Sequence, residues 1–412
     1  MKIFKFGGAS VKDAESVRNV ALVLQTQGFD QCLLVVSAMG KTTNALEIVV
    51  QNYFGKTAYS AELAQLKEKH FSICAELFNA NHPIFQDVSF YFTELELFLD
   101  RNKSPLYNFV YDQVVGFGEL LSSKILSAFL NDNNYPNWWC DSREFIKTDS
   151  NYREGNVNWS ETERKMKLLP SGECIVTQGF IGSDENNFMV TLGREGSDYS
   201  GAIFAYCLDA DTMTIWKDVP GVMTGDPRKF ENVSLLKNIS YEDAIEMAYY
   251  GASIIHPKTL QPLQQKKIPF FVKSFLEPQN PGTRIGESEE RTHQESFILK
   301  ENQHLMRIAT RDFSFIAEEH MSLIFALLAK HKIKISLMQN SAISLDLCLE
   351  DTYHAIEELA GELQQDFKTE IIKNVSLYTI RNANLVDCNK FYQDKKILLE
   401  QFAQKTVQVV TN

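Results

Sequence analysis

The 412-residue chain has no C-x-x-C pair, no apolar run long enough to cross a membrane and no excess of positive charge. Its seven cysteines are scattered along the sequence, which argues against a zinc site and for a reducing compartment. A membrane-spanning helix needs about 20 consecutive apolar residues, a length that no run reaches. The sequence therefore predicts a cytoplasmic protein without membrane association, and its strand-like start predicts no signal peptide.

The acidic balance limits the possible partners. Asp and Glu number 53 against 41 Lys and Arg, which gives a formal net charge of -12. This charge excludes broad binding to nucleic acid or to an anionic membrane, so any anion site must be local. With 44% hydrophobic residues the composition is typical of a soluble globular protein. The length exceeds one ordinary core and predicts at least two domains.

Apolar runs rich in β-branched residues alternate with helical patterns in the first part of the chain. Apolar residues recur at helical spacing in residues 13–27 and 118–132, and residues 240–251 have a serine with an acid three residues later and a final glycine, which predicts a capped helix. Strands that alternate with helices predict an α/β fold with a mostly parallel sheet, in which ligands lie at the carboxyl ends of the strands. The predicted strands are residues 2–6, 32–39, 174–182, 212–219 and 268–275.

The character of the sequence changes near residue 285. Residues 277–296 are rich in proline, glycine and charge, which is typical of a linker. Residues 305–373 then give the order βαββαβ of a ferredoxin-like unit, and residues 375–411 add a strand, a helix and a strand, half of a second unit. We therefore predict one domain over residues 1–285 and another over residues 300–412.

The stretch KFGGAS at residues 5–10 carries a lysine directly into two glycines. The glycines let backbone N–H groups approach a ligand closely, and a helix that begins near Asp13 would complete a cradle for phosphate. The stretch matches neither the P-loop nor the dinucleotide-binding pattern. Taken alone, it is also typical of a tight β–α turn with Lys5 in solvent.

A second strand-to-helix turn, GREGSDYSGA at residues 193–202, again combines glycine with one basic residue. Arg194 offers a planar donor fork that suits a carboxylate. Ser197 and Asp198 precede a predicted helix, where they could instead serve as caps. Together the two turns predict one site for a phosphate and another anion.

Five stretches of the chain resemble a known family. KFGGAS, VVSAMGKTTN, GFGELLSS, GREGSDYSGA and WKDVPGVMTGDPR occur in the order typical of aspartate kinases, in the amino-acid kinase superfamily. The likeness covers residues 2 to 285, and the tail resembles the ACT regulatory region of that family more loosely. The resemblance implies a mostly parallel α/β sheet flanked by helices, followed by a ferredoxin-like α+β region.

The resemblance implies transfer of the γ-phosphoryl group of ATP to the β-carboxylate of L-aspartate, with Mg²⁺ as a cofactor, in lysine, threonine and methionine biosynthesis. A carboxylate with a pKa of about 3.9 is already ionised, so this reaction needs no general base. Its difficulty is the approach of two anions, which positioning and charge neutralisation must overcome. Lys5 is expected to face the transferred phosphoryl group.

The resemblance also implies roles for individual residues. Lys5 and Asp198 are expected to be catalytic, and the α-carboxylate and α-ammonium of the substrate are expected to meet Arg194 and Glu119. Glu119 could instead have only a structural role, because an acid is favoured in the first turn of any helix. Thr42 is an alternative to Thr43 as a substrate contact. The expected substrate contacts are Ser37, Thr43, Glu119, Arg194 and Ser197. The expected ATP contacts are Lys5, Gly7, Gly8, Ser10, Lys217, Asp218, Met223 and Arg228.

Residues 215–230 contain the expected ATP contacts Lys217, Asp218, Met223 and Arg228. This stretch is also explained by turn chemistry alone.

Four positions depart from the family pattern. Glu195 stands where glycine is usual, so its side chain must point away from the anion site or weaken binding. Ser253 replaces a common lysine, which would remove one nucleotide contact. Met223 replaces a frequent aromatic residue and Ala9 a threonine, which are milder changes.

Two other functions stay open at this point. A related kinase could act on another acid such as glutamate, because Glu119 and Arg194 would suit any α-amino acid. A degenerate kinase could instead be an amino-acid-sensing partner, which the substitutions Glu195 and Ser253 would allow.

The tail predicts assembly and regulation. A half unit leaves a sheet edge that soluble proteins cover, so we expect a homodimer through residues 300–412. The resemblance implies lysine or threonine as a feedback effector. Residues 317–325, AEEHMSLIF, have no glycine where effector-binding loops of the family often have one, so we expect weak or absent inhibition. We expect no fused dehydrogenase domain after Asn412.

Overall fold

The computed structural model describes residues 1–170, 172–252, 255–287, 294–383 and 395–412, which form two compact units. The first comprises Met1–Val222, Leu235–Ile245 and Ile254–Thr292, and the second comprises Met223–Ser234, Glu246–Ser253 and His293–Asn412. The domain boundary expected between residues 285 and 300 stays a prediction. Ser253, Cys388 and most of the segment expected to form the last helix lie outside the described residues.

Among the described residues, the first unit has ten strands. They are β1 (Lys2–Phe6), β2 (Cys32–Val36), β3 (Asn137–Trp139), β4 (Cys174–Gln178), β5 (Ile181–Ser183), β6 (Met189–Thr191), β7 (Thr212–Lys217), β8 (Asn238–Ser240), β9 (Phe270–Ser274) and β10 (Thr283–Gly286).

Helices fill the connections between these strands. They are α1 (Ala14–Gln27), α2 (Thr42–Gly55), α3 (Ser60–Leu77), α4 (Ile84–Arg101), α5 (Tyr107–Val115), α6 (Phe117–Asp132), α7 (Ser142–Phe145), α8 (Trp159–Met166), α9 (Gly196–Cys207), α10 (Tyr241–Tyr250) and α11 (Pro257–Gln265), with a 3₁₀ turn at Gly8–Val11.

The central sheet has the strand order β3–β4–β2–β1–β7–β9–β10–β8, and β5 pairs with β6 in a separate antiparallel ribbon. All neighbours in the central sheet are parallel except β9 and β10. The mostly parallel α/β sheet predicted from the sequence is thus confirmed. β2 and β4 are buried along their whole length, as expected for central strands of a parallel sheet covered by helices.

The order of the strands positions the ends that carry polar residues. Lys5 of β1 lies in register with Val35 of β2 and Ile215 of β7. The carboxyl ends of these three strands therefore meet at one edge of the sheet, although β1 and β7 are about 200 residues apart in sequence.

The segment expected to be a linker contains a strand, so this expectation was wrong. β10 lies within residues 277–296, between β9 and β8, and its residues Thr283 and Ile285 are fully buried. Thr283 Oγ1 donates to the carbonyl of Leu236 at 2.5 Å. The proline and glycine residues before β10 end one strand and turn the chain into the next, a role that composition does not distinguish from a linker.

The second unit is built on a six-stranded antiparallel sheet. Its elements are β11 (Ser296–Thr310), α12 (Glu318–Lys330), β12 (Lys334–Asn340), β13 (Ser344–Glu350), α13 (Ile356–Leu363), β14 (Phe367–Arg381), β15 (Ile397–Ala403) and β16 (Thr406–Thr411). The sheet order is β12–β13–β11–β14–β16–β15. The predicted βαββαβ order of the first tail unit is confirmed.

The second tail unit differs from its prediction at its first strand. β14 runs without a break through residue 375, so the strand expected there continues the last strand of the preceding unit. A fifteen-residue strand with two register shifts against β11 can serve both halves of one sheet. Among the described residues, no helix is both long and apolar enough to cross a membrane.

Candidate active site

A cleft of about 350 Å³ opens in the first unit at the carboxyl ends of the central strands. Its lining comes from β1 and the glycine turn after it, the loop after β2, the start of α6, the end of β4, the turn before α9 and the end of β7. Two glycine-rich strand-to-helix turns thus face the same space, as the two turns in the sequence predicted.

A buried ion pair lies in this cleft. The Nζ atom of Lys5 is 2.5 Å from Oδ1 of Asp198, and both side chains are almost fully buried. Lys217 approaches from the end of β7, where its Nζ atom lies 3.6 Å from Oδ2 of Asp198. Burial alone would raise the pKa of Asp198, but the two ammonium groups hold this pKa below its ordinary value. Asp198 therefore stays ionised and fixes two cations at the cleft.

The glycine turn after β1 requires glycine at one position for a steric reason. A Cβ atom on Gly8 would lie 2.8 Å from the carbonyl oxygen of Ala38 and 3.0 Å from that of Gly40. Gly40 has φ of 57° and donates its N–H to the carbonyl of Gly8 at 3.0 Å. The loops after β1 and β2 therefore touch through their backbones, which only glycine permits at this separation.

Two other residues of the first turn lie outside the cleft lining. Ser10 is buried and its Oγ atom donates to the carbonyl of Trp216 at 3.2 Å, so its hydroxyl ties the turn to β7. Gly7 precedes the 3₁₀ turn, and a Cβ atom there would lie 3.6 Å from the Nζ atom of Lys5. Their expected contacts with ATP stay predictions.

Glu119 is positioned in the first turn of α6 and lines the cleft with only 3% of its surface exposed. Its Oε1 atom accepts the N–H of Ala38 at 3.2 Å. Its Oε2 atom is buried and finds no hydrogen-bond partner among the described residues. Burial raises the pKa of Glu119 to about 8. A carboxyl group held in this way is poised to accept a cationic partner, because a buried carboxylate is costly until it is paired.

Some hydroxyl-bearing residues near the cleft line it, and others make hydrogen bonds within the surrounding structure. Ser37, Thr43 and Ser197 line the cleft. Thr42 does not line it, and its Oγ1 atom donates to the carbonyl of Met39 at 2.6 Å. The structure therefore favours Thr43 over Thr42 as the residue that a ligand meets.

Some of the expected site residues are not brought into the cleft. Arg194 and Asp218 are exposed and do not line the cleft, although both neighbours of Arg194 in sequence do. Met223 and Arg228 belong to the second unit. The guanidinium of Arg228 pairs with Asp226 at 2.8 Å. Their expected ligand contacts stay predictions.

Glu195 was expected either to point away from the anion site or to weaken binding, and this expectation stays a prediction. The residue lines the cleft, and its Oε2 atom is buried without a hydrogen-bond partner among the described residues. Its backbone has φ of 53°, a left-handed conformation in which glycine is favoured, as at the neighbouring Gly193 with φ of 78°. Burial raises the pKa of Glu195, and the nearby charge of Asp198 raises it further, against the opposing effect of Lys217.

Sequence reasoning missed Phe180 as part of the cleft. Phe180 follows β4, lines the cleft, and has φ of 70°. Its N–H donates to Oγ of Ser200 in α9 at 2.9 Å, which ties the end of β4 to that helix. The signal was available, because Phe180 lies in the stretch GFIG, residues 179–182, at a predicted strand end.

Residues 1–274 match the model of the amino acid kinase family. The chain is 32% identical over 417 residues to a bifunctional aspartokinase/homoserine dehydrogenase of Buchnera aphidicola, covering 93% of this chain and 50% of the relative. It therefore spans half the length of that relative. It is 29% identical to the lysine-sensitive aspartokinase 3 of Escherichia coli, covering 85% of this chain and 78% of the relative.

Its structure is similar to that of E. coli aspartokinase III in complex with aspartate and ADP in the R-state. The TM-score is 0.84 and the sequence identity 25%, and the match covers 100% of this chain and 96% of the other. The similarity thus extends over both units of the chain.

Proposed function

The chain belongs to the amino acid kinase family, and we propose that it transfers the γ-phosphoryl group of ATP to the side-chain carboxylate of L-aspartate. One observation carries the proposal: a single cleft holds the Lys5–Asp198–Lys217 ion cluster and the carboxyl group of Glu119, whose Oε2 atom has no hydrogen-bond partner among the described residues. The ion cluster suits a phosphoryl group, and the carboxyl group suits an ammonium. The similarity to an aspartokinase that binds aspartate and ADP supports the same pairing of ligands.

The proposed reaction is a direct displacement. A side-chain carboxylate oxygen of aspartate attacks the γ-phosphorus, the bond to the β,γ-bridging oxygen breaks, and ADP leaves with that electron pair. No proton has to be removed, because a carboxylate with a pKa of about 3.9 is already ionised at neutral pH. The residues therefore contribute by position and charge rather than by acid–base catalysis.

Lys5 is proposed to carry the largest share of this electrostatic work. Its ammonium group is held by Asp198 at 2.5 Å at the sheet edge where the glycine turn begins. A fixed cation stabilises charge on the transferred group without reorganising during the reaction. Lys217, held by the same carboxylate, is proposed to contact the nucleotide phosphates together with the backbone of Gly7 and Gly8.

The amino-acid end of the cleft is proposed to be selected by Glu119, Ser37, Thr43 and Ser197. The Oε2 atom of Glu119 is buried and unpaired among the described residues, which the α-ammonium of the substrate would correct. Arg194 stands between two lining residues, and we propose that its guanidinium turns into the cleft to meet the α-carboxylate.

Mg²⁺ is proposed to enter with the nucleotide. Within the described ranges, no group of three or more His, Cys, Asp or Glu side chains could hold a metal ion. Magnesium commonly keeps substrate phosphates and water as most of its ligands, so the triphosphate would supply what the protein does not. Mg²⁺ would neutralise phosphate charge there.

The test of the proposed function is a substrate panel. The protein is incubated with ATP, Mg²⁺ and hydroxylamine, which traps an acyl phosphate as a hydroxamate, and kcat/KM is measured for aspartate, glutamate and N-acetylaspartate. We expect aspartate to be preferred over glutamate by at least about tenfold, and N-acetylaspartate to fail because it has no ammonium for Glu119. Preference for glutamate would support the related-kinase alternative, and no hydroxamate with any acid would support a sensing protein.

The second unit is proposed to regulate and to join two copies of the chain, with residues 1–285 as the catalytic domain and residues 300–412 as the ACT-like region. Large apolar side chains are exposed on α12, on the loop before it and on the edge strand β12, namely Phe313, Phe315, Leu323, Phe325 and Met338. Such a surface favours burial against another chain.

One similar protein is named as lysine-sensitive, and we propose lysine or threonine as a weak effector here. Turnover with millimolar lysine and threonine tests the effector; strong inhibition at low micromolar concentration would contradict it.

A further inference from the structure

Glu195 is a cleft residue that the proposed mechanism does not use. It is the N-cap residue of α9, yet its side chain makes no capping hydrogen bond to the helix. Glu195 lines the cleft, its carboxyl group feels the charges of Lys217 and Lys5 there, and its Oε2 atom is buried without a hydrogen-bond partner among the described residues. A buried polar atom without a partner is rare in folded proteins and calls for a partner that arrives with a ligand.

The charges around Glu195 come from several elements. Lys217 at the end of β7 and Lys5 in β1 favour its ionised form, as does Arg194 in the preceding turn. Asp198 in α9 opposes the ionised form, and Glu119 from α6 faces the same cleft. With all side chains ionised, the cleft would hold three carboxylates against the two ammonium groups that line it. The lining side chains would then carry a net negative charge, which would repel a triphosphate and an aspartate.

We propose that Glu195 determines how the cleft accepts anions: its neutral carboxyl group donates a hydrogen bond to an anionic ligand oxygen, and its ionised form repels that ligand. The inference rests on the proposed function, because that function brings a phosphate oxygen and a carboxylate oxygen into this cleft. A neutral carboxyl group can act as a hydrogen-bond donor when its surroundings keep it protonated.

The sign of the pH effect follows from the direction of the pKa. Burial raises the pKa of Glu195, so its neutral form persists to a higher pH than that of an exposed glutamate. Ligand affinity is then highest below this pKa and falls as pH rises through it. A glutamine at the same position stays a neutral donor at every pH, and a glycine removes the donor and the charge together.

The test measures binding directly as well as turnover. Dissociation constants of Mg·ADP alone and of aspartate alone are determined by calorimetry from pH 6 to pH 9 for the full chain and for E195Q and E195G. E94Q, which changes an exposed glutamate on α4, is the matched control. Comparison with E195Q at each pH cancels the titration of Glu119 and of the ligands themselves.

We expect the dissociation constant of the unchanged chain to rise by about tenfold relative to E195Q as the pH rises through the pKa of Glu195, for at least one ligand. E195G should show no such rise but should bind more weakly than E195Q at pH 6, because it offers no donor. If the dissociation constant of Mg·ADP rises, the anion that Glu195 contacts is a phosphate. If the dissociation constant of aspartate rises, that anion is a carboxylate.

Parallel pH curves for the unchanged chain and E195Q with both ligands would overturn the inference. Failure of the substrate panel with this pH-dependent binding intact would count against the proposed function and leave the inference standing. If neither ligand binds to any variant, both are wrong.

Discussion

At the level of single residues, the carboxyl groups of the cleft differ in how far neighbouring positive charges compensate their negative charge. Asp198 lies between two lysine ammonium groups and stays ionised, whereas burial outweighs the opposing charge of Lys5 at Glu119 and raises the pKa of that carboxyl group to about 8. These two acids therefore prepare different halves of the cleft, one for fixed positive charge and one for an incoming cation. Residue identity alone does not separate these roles, because both are acids in the first turn of a helix.

Replacing Lys5 tests the catalytic half of the cleft. K5M should lower kcat by about 100-fold or more, as expected when a fixed transition-state charge is lost, and should leave aspartate binding nearly unchanged. K2M, on the same strand but with an exposed side chain, is the control and should behave like the unchanged chain. A K5M protein with normal kcat and only a raised KM for ATP would contradict the catalytic role.

Glu119 should release a proton when the substrate binds. Its pKa of about 8 means that it is mostly protonated at pH 7, and a bound ammonium would lower that pKa. Calorimetry in buffers of different ionisation enthalpy should therefore show the release of nearly one proton per bound aspartate at pH 7. The release should become smaller at pH 9, where Glu119 is already ionised. Equal proton release by E119Q would show that another group titrates.

The same pKa affects folding stability. Because the folded-state pKa of Glu119 lies above its ordinary value of 4.5, the contribution of this residue to stability is greatest below pH 4.5. The contribution is lost as pH rises to about 8. Aspartate should therefore stabilise the chain against unfolding by pairing with this carboxyl group.

At the level of secondary-structure elements, local sequence patterns were sufficient to predict where strands and helices lie. They were not sufficient to predict which strands pair with each other. Residues 2–6 form a strand as their apolar pattern predicted, and the two glycine turns lie where the sequence put them. The ion pair between Lys217 and Asp198 depends on β7 lying beside β1, and sequence spacing does not reveal that neighbour. Glu195 has a left-handed backbone, which the residue type itself disfavours and which the sequence therefore did not predict.

The contact between the two loops makes Gly8 a sensitive position. G8A would place a methyl group 2.8 Å from a backbone carbonyl oxygen, and we expect a loss of about 1–3 kcal/mol in the free energy of unfolding, with a fall in turnover. G361A is the control, because a Cβ atom there meets nothing within 4 Å and Gly361 lies inside α13. It should stabilise the chain by about 0.5–1 kcal/mol. Chemical denaturation measures both; unchanged stability in G8A would contradict the close contact.

At the scale of the whole molecule, the chain divides into a parallel α/β unit with the cleft and an antiparallel unit with exposed apolar side chains. The alternation of strands and helices and the change of character near residue 285 were enough to predict two different architectures. They did not predict β10 or the continuous β14, because both depend on which strands become neighbours.

The exposed apolar surface of the second unit tests the proposed homodimer. Phe313 and Phe315 are 75% and 74% exposed, and a charge on each should halve the mass measured by light scattering. F90E, on an exposed apolar residue of α4 in the first unit, is the matched control and should keep the mass of the unchanged chain. A monomeric unchanged chain, or a dimer that persists in F313E/F315E, would rule out this interface.

Isotope transfer shows whether a side-chain carboxylate oxygen of aspartate attacks the γ-phosphorus of ATP. Aspartate labelled with ¹⁸O in its side-chain carboxylate is incubated with ATP, Mg²⁺ and the protein, and the acyl phosphate is cleaved by hydroxylamine at its carbonyl carbon. We expect each phosphate released in this way to carry one ¹⁸O atom from aspartate, as mass spectrometry will measure. Released phosphate without ¹⁸O, formed while ATP is consumed, would contradict the account.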